Sequence, residues 1–390
     1  MKLLATAPIT QRLAALGSEC WAIHFEGRRR IAAGDDIIEL TIGEPDVPTP
    51  PHLIAVAEAA MRAGRTRYAS GKGEPGLLAA VARKYTARTG RSVTPEQVLV
   101  FPGTQAALAI CMMSLVEAGD DVLVPDPYYA TYEGVVRATG ANFVPVPMST
   151  DNGFHLTAAQ VEKAVTPQSK VLLLNSPHNP TGAVLDKATI LEIGAVCEKH
   201  GLWIISDEVY EPLTYDGDFA SPFNDENLAS RTIAMASISK SHAAPGFRSG
   251  WAVGPQWVMD RIQSVSEALL FGTQPFIADM TAHALDHPDT TAEQMGAAYQ
   301  QRISLLMEAF SASPLKPLEP KSGMFMLVDV SACGITGEAF AKQLLDDGVS
   351  VMPGNAFGKQ ADHFIRLSLT VDEEKLAEAA GRIVALAERI

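Results

Sequence analysis

No stretch of the sequence approaches the roughly 18 uninterrupted apolar residues of a membrane-crossing helix, so no span is expected. The N-terminus, Met1-Lys2-Leu3-Leu4-Ala5-Thr6-Ala7-Pro8, is too short and too soon broken by proline to read as a signal peptide. Cysteine is scarce. Cys20, Cys111, Cys197 and Cys333 lie far apart with no C-x-x-C pair, which argues against a disulfide or zinc framework and for free thiols in a reducing compartment. Positive charge is in deficit: 31 Lys and Arg face 45 Asp and Glu, for a net charge of −14. A chain this acidic does not suit nucleic acid through a general basic surface. It still leaves room for a locally basic pocket that takes a phosphate or a carboxylate. Repeats, low-complexity tracts and flexible linkers are also missing. The expectation is a cytoplasmic protein with no membrane, nucleic-acid or metal partner.

What the sequence has is apolar residues, 47% of 390 positions, enough for a large core and for more than one domain. Residues 9–33 read as a helix, with Leu13, Leu16, Cys20 and Ile23 on one face. A short strand over 37–40 leads to Gly43-Glu44-Pro45-Asp46-Val47-Pro48, where prolines forbid regular structure, and a helix starts at Pro51. A loop from Tyr68 to Gly76 runs into a helix over 75–88, and Tyr68 by itself reads as a half-buried loop aromatic.

From Val98 the texture becomes α/β. Strands are expected over 98–101, 122–124, 171–174, 202–205 and 232–236, with helices over 106–116 and around Ile190, Ile193 and Cys197, the latter closed by Gly201. The continuous run Val171-Leu172-Leu173-Leu174 suits a parallel strand covered on both faces. Alternating strands and helices imply an open, mostly parallel sheet, whose ligands sit at the carboxyl ends of the strands. Asn179, Asp207 and Lys240 all follow strand candidates at that end. Each has an ordinary alternative: a turn residue before Pro180, a helix N-cap, an exposed loop lysine. Gly103-Thr104-Gln105 opens a helix after a strand, an arrangement that presents free N–H groups to an anion. Past residue 256 long helices dominate. Strands at 324–330 and 363–369, a helix over 337–347 and a last helix from 372 form a smaller α+β unit.

Taken together, Asn-x-Pro-x-Asn-Pro-Thr-Gly at 175–182, Ser-Asp-Glu-Val-Tyr at 206–210, and Ser-x-Ser-Lys at 237–240 with Gly-x-Arg-x-Gly-Trp at 246–251 resemble the class I aminotransferases of the aspartate aminotransferase superfamily. The resemblance spans nearly the whole chain. It implies the pyridoxal 5'-phosphate (PLP) transferase fold of type I: a large domain over 46–280 and a small domain from 1–45 with 281–390. It implies transfer of an amino group from an L-amino acid to a 2-oxo acid by way of a Lys240 Schiff base and pyridoxamine phosphate. Asp207 would face the pyridine nitrogen, and Tyr210 and Asn179 would hydrogen-bond the phenolic oxygen. Arg248, Ser237, Gly103, Thr104 and Gln105 would hold the phosphate, and Tyr129 would stack on the ring, with Tyr128 as the neighbouring alternative. Tyr68 would reach the phosphate of a second subunit, which makes the protein a homodimer with shared sites. Arg366 would grip the substrate carboxylate beside Gly43.

Dicarboxylate specialists need a further basic group, in the segment matching 264–276 or on the helix after Gly103. Neither has an arginine or a lysine here, which argues against a strict aspartate enzyme. Trp-Ala-Ile-His at 21–24, Ser-Lys-Ser-His-Ala at 239–243 and Leu-Phe-Gly-Thr-Gln-Pro-Phe-Ile at 270–277 look similar to bacterial arginine–pyruvate transaminases. Arginine or another non-dicarboxylic amino acid, with pyruvate, is therefore the expected pair, with Glu267 as a candidate partner for a cationic side chain. A C–S β-lyase or an aspartate aminotransferase on the same fold is the alternative.

Overall fold

The computed structural model describes residues 6–14, 16, 21–215 and 217–390. Two sheets organise it. The larger has seven strands in the order Val98–Phe101, Gly250–Val253, Thr232–Ser237, Trp203–Asp207, Ser169–Asn175, Asp121–Asp126 and Asn142–Pro147. All neighbours pair in parallel except Gly250–Val253, which runs antiparallel to both strands beside it. The parallel core follows from composition. Val171, Leu172, Leu173 and Leu174 are all buried, because helices cover the sheet on both faces. Each such side chain contributes about 1.5–3 kcal/mol by leaving water.

The helices between the strands start and stop where local chemistry dictates. Asp186 caps Lys187–His200 through a bond from the Thr189 N–H, and Gly201 ends it in the left-handed conformation. Ile190, Ile193 and Cys197 form its buried face. The helix expected over 106–116 begins earlier, at Thr104–Leu115, with Gly103 as its N-cap.

The smaller sheet has five strands in the order Ile38–Leu40, Val349–Pro353, Phe364–Ser368, Phe325–Asp329 and Lys316–Leu318. Ile38–Leu40 pairs in parallel with Val349–Pro353, so residues from near both ends of the chain share one sheet. The helices Thr291–Phe310, Gly337–Asp346 and Glu373–Arg389 pack on it around Phe340, Leu344, Ile383 and Leu386.

Some expectations change. The helix read over 9–33 is two helices, Pro8–Ala14 and Ala22–Ala33, and residues 15 and 17–20, Cys20 among them, lie outside the described residues. Periodicity could not separate the two because both sides of the break are apolar at helical spacing. The helix Pro275–Asp286 packs on Pro51–Arg62 and Pro75–Thr89. Cys111, Cys197 and Cys333 are free thiols. Among the described residues no helix is long and apolar enough to cross a membrane.

Candidate active site

The carboxyl ends of three adjacent strands of the larger sheet converge. Ser169–Asn175 ends at Asn175 and turns into the loop that carries Asn179. Trp203–Asp207 ends at Asp207. Thr232–Ser237 ends at Ser237, whose hydroxyl caps the short helix Ile238–Ser241 that bears Lys240. Facing them across a cavity of about 230 Å³ is Arg366, from the middle of the smaller sheet. The cavity therefore lies between the two sheets.

Burial sets the electrostatics. Lys240 is deep in the cavity and its ammonium donates to the Gly43 carbonyl oxygen. Burial lowers its pKa from 10.5 to about 8; the Glu44 carboxylate opposes this, and the Arg366 and Arg248 guanidiniums assist it. A lysine with that value exists in part as the free amine near neutral pH. Asp207 moves the other way. Burial raises its carboxyl from 3.8 to about 6, opposed by hydrogen bonds from the Tyr132 hydroxyl at 2.8 Å and the Val209 N–H at 3.3 Å. Asn175 locks the strand ends together: its amide donates to the Asp207 carbonyl at 3.0 Å and its Oδ1 accepts from the Asn179 N–H at 2.8 Å.

Arg366 is only 3% exposed. Its guanidinium lies 3.9 Å from the Phe325 ring centre and 4.5 Å from that of Phe357. Nη1 donates to Asn179 Oδ1 at 3.1 Å and Nη2 to the Thr41 carbonyl at 2.6 Å. Nε is buried without a partner. A planar cation held edge and face, with one donor unspent, is built to take a carboxylate. Burial lowers its pKa to about 10, which leaves it protonated at neutral pH. Gly43 stands against this arrangement, since a Cβ there would come within 2.0 Å of the Phe325 ring.

At the opposite end, Arg248 sits in the left-handed region at φ 51° and projects its guanidinium over Gly103. Gly103 has φ 88°, and a Cβ on it would meet Arg248 Nη2 at 2.2 Å, so this turn requires glycine. The Thr104 hydroxyl is buried and has no hydrogen-bond partner. A helix N-terminus, an arginine fork and a spare hydroxyl together make an anion pocket.

Lys240, Asp207, Tyr210, Asn179, Ser237, Arg248, Thr104, Gln105, Tyr129, Gly43 and Arg366 all line the cavity, and Gly103 borders it through the Arg248 contact. Tyr129 is the lining tyrosine; Tyr128 turns away, with its ring edge-on to Phe143 at 4.8 Å. Tyr68 lies outside the cavity. It is 86% exposed, not half-buried, and meets the Phe271 ring edge-on at 5.0 Å. Glu267 also stands apart from the cavity of its own chain, against Gly71 and bonded by Gln263. Sequence reasoning missed Tyr132, Asn175, Trp21, Phe325 and Phe357. Two had a signal: Asn175 as the first residue of the Asn-x-Pro-x-Asn-Pro motif, and Trp21 as the first of Trp-Ala-Ile-His.

A family model for aminotransferase class I and II matches residues 35–383. The chain belongs to the class I and II aminotransferases. It is 41% identical over 383 residues to arginine–pyruvate transaminase from Pseudomonas aeruginosa, covering 98% of each chain. It is 35% identical over 352 residues to aspartate/prephenate aminotransferase from Thermus thermophilus, covering 90% of each. Among solved structures it superposes on Thermus thermophilus aspartate aminotransferase with maleate at a TM-score of 0.94 and 32% identity, over 98% of this chain and 100% of that one.

Enzymes of this family depend on pyridoxal 5'-phosphate, and so does this aminotransferase. The residues present fit that group. The unpartnered Thr104 hydroxyl and the Arg248 fork suit its phosphate, and the Asp207 carboxylate suits a ring nitrogen that must stay protonated.

Proposed function

We propose that this aminotransferase takes a non-dicarboxylic amino donor, arginine foremost, with pyruvate as the acceptor. One observation carries the reading. The basic side chains that line the cavity are Lys240, Arg248 and Arg366, and each has a task that leaves it unavailable for a second substrate carboxylate. The cavity-lining residues of the helix Thr104–Leu115 are Thr104, Gln105 and Leu108, none of them basic. The 41% identity to arginine–pyruvate transaminase from Pseudomonas aeruginosa supports the same donor and acceptor.

The roles follow from position. Bound pyridoxal phosphate supplies an aldehyde carbon and a protonated pyridine ring that takes up electron density. Arg248, Ser237, Thr104 and the Gly103–Gln105 backbone hold its phosphate, and Tyr129 covers its ring. Tyr210 and Asn179 donate to its phenolic oxygen. Asp207, kept in reach of ionisation by Tyr132, holds the proton on the ring nitrogen. Arg366 grips the substrate α-carboxylate beside Gly43 and orients the Cα–H bond. Lys240, in part a free amine at neutral pH, would hold the cofactor and take the proton that leaves the substrate Cα.

The two-domain division at 46–280 and at 1–45 with 281–390, the cytoplasmic setting and a homodimer belong to the same reading. Exposed Tyr68 and Phe271, 65% exposed itself, form an apolar pair that suits burial against a second copy, with Tyr68 completing that copy's phosphate site. Hybrid dimers test it. Lys240→Ala and Tyr68→Ala subunits, each inactive or impaired alone, should regain activity when mixed; no recovery would rule out shared sites. For the substrate, rates with arginine, aspartate, alanine and aromatic donors against pyruvate and 2-oxoglutarate decide. A clear preference for aspartate would refute the assignment.

A further inference from the structure

The substrate's side chain has to leave the cavity past something. Arg366, the carboxylate group's partner, lies against the face of Phe357. Trp21 lines the same cavity and packs with Ala130 against the cluster of Met352, Ala356 and Phe357. The guanidinium and the indole therefore border the same apolar cluster. Trp21 is held from behind as well: its ring meets His24 edge-on at 5.7 Å. His24 Nδ1 bonds the Thr41 hydroxyl at 2.8 Å and lies 3.1 Å from Glu39, whose carboxylate also takes the Arg28 guanidinium at 2.8 Å. Thr41 in turn presents its carbonyl oxygen to Arg366. The indole is thus indexed to the carboxylate grip through two routes, one apolar and one polar.

We propose that Trp21 determines donor specificity: its ring face receives the flat cationic end of the substrate side chain. The inference rests on the arginine reading above. A guanidinium on an indole face gains most when water is excluded, and Trp21 is partly buried. Trp21 precedes the first turn of the helix Ala22–Ala33, far in the chain from Phe357 and Arg366.

The test compares arginine with citrulline, its neutral isostere, on the cofactor-loaded dimer of the unaltered enzyme, Trp21→Phe and Trp21→Leu. Both kcat/KM and the dissociation constant from spectral titration are measured. Trp21→Leu should cost arginine roughly tenfold more than citrulline, and Trp21→Phe should recover part of that difference. Bound cofactor, read from its visible absorption, checks that each variant is folded, and Trp21→Phe keeps the ring if Trp21→Leu does not fold. An unaltered enzyme that prefers arginine, with both variants losing arginine and citrulline equally, overturns this inference alone. An unaltered enzyme that ranks arginine below aspartate overturns the functional reading and this inference with it.

Discussion

Arg248 and Arg366 enter one cavity from opposite sheets, and they are held differently. Arg248 comes from a loop of the larger sheet, with an exposed side chain and a left-handed backbone that aims it over Gly103. Arg366 comes from the centre of a strand in the smaller sheet, buried between two phenyl rings and bonded to Asn179 and Thr41. In the proposed function the loop arginine takes the cofactor's phosphate, which arrives once and stays, and the strand arginine takes a substrate carboxylate, which must bind and leave in every turnover. Preorganisation lowers the cost of each binding event, so rigidity is concentrated where substrate, not cofactor, is exchanged.

If this contrast is right, changes on the larger-sheet side strike chemistry and cofactor, and changes on the smaller-sheet side strike substrate affinity. The largest effect is expected for Lys240→Ala. Loss of proton transfer should lower turnover by roughly 10²–10⁴-fold or more, and retained turnover in a stopped-flow assay would break the assignment of Lys240. Arg366→Ala comes next. It removes two charge-assisted bonds at about 1.5–3 kcal/mol each, so KM for the amino donor should rise roughly 10²–10⁴-fold while cofactor affinity holds. Equal loss of both would erase the contrast.

Asp207→Asn tests the buried carboxylate in the protein freed of cofactor. The folded protein holds the Asp207 proton up to about pH 6, against 3.8 for the ordinary group. That raised value contributes stability below about pH 3.8, and the contribution is lost as pH rises through about 6. The difference is worth about 3 kcal/mol. Asp207→Asn should therefore be the more stable protein in urea at pH 8, with the gap closing as pH falls through 6 toward 4. A gap that does not depend on pH would show that the carboxylate is not strained by burial. Arg248→Lys should have the smallest effect. It exchanges a fork for a point charge, and the dissociation constant of pyridoxal phosphate should rise roughly tenfold with KM nearly constant.

Much of the site could be read in the sequence because its residues cluster at strand ends. Asn179, Asp207 and Lys240 each follow an apolar run, and the α/β alternation predicts that such ends meet. Phe325 and Phe357 left no comparable trace. An aromatic residue in a loop, a strand or a single helical turn looks the same whether it fills a core or walls a cavity. Tyr132 is a case in point. It belongs to the buried face of the helix Tyr132–Thr139, yet its hydroxyl reaches Asp207. Tyr68 shows the reverse error: a loop aromatic expected to be half-buried is open to solvent.

The sequence by itself marked five of the seven strands of the α/β scaffold, the candidate for the reactive lysine and the absence of a basic residue on the helix after Gly103. These depend on hydrophobic period, turn chemistry and residue type, all of them local properties. Only the tertiary structure decided how the smaller sheet carries Arg366 to the cavity, which tyrosine of the pair lines it, and that Trp21 stands beside Phe357. Those contacts join residues hundreds of positions apart, and their geometry comes from how two sheets pack, which no local pattern encodes.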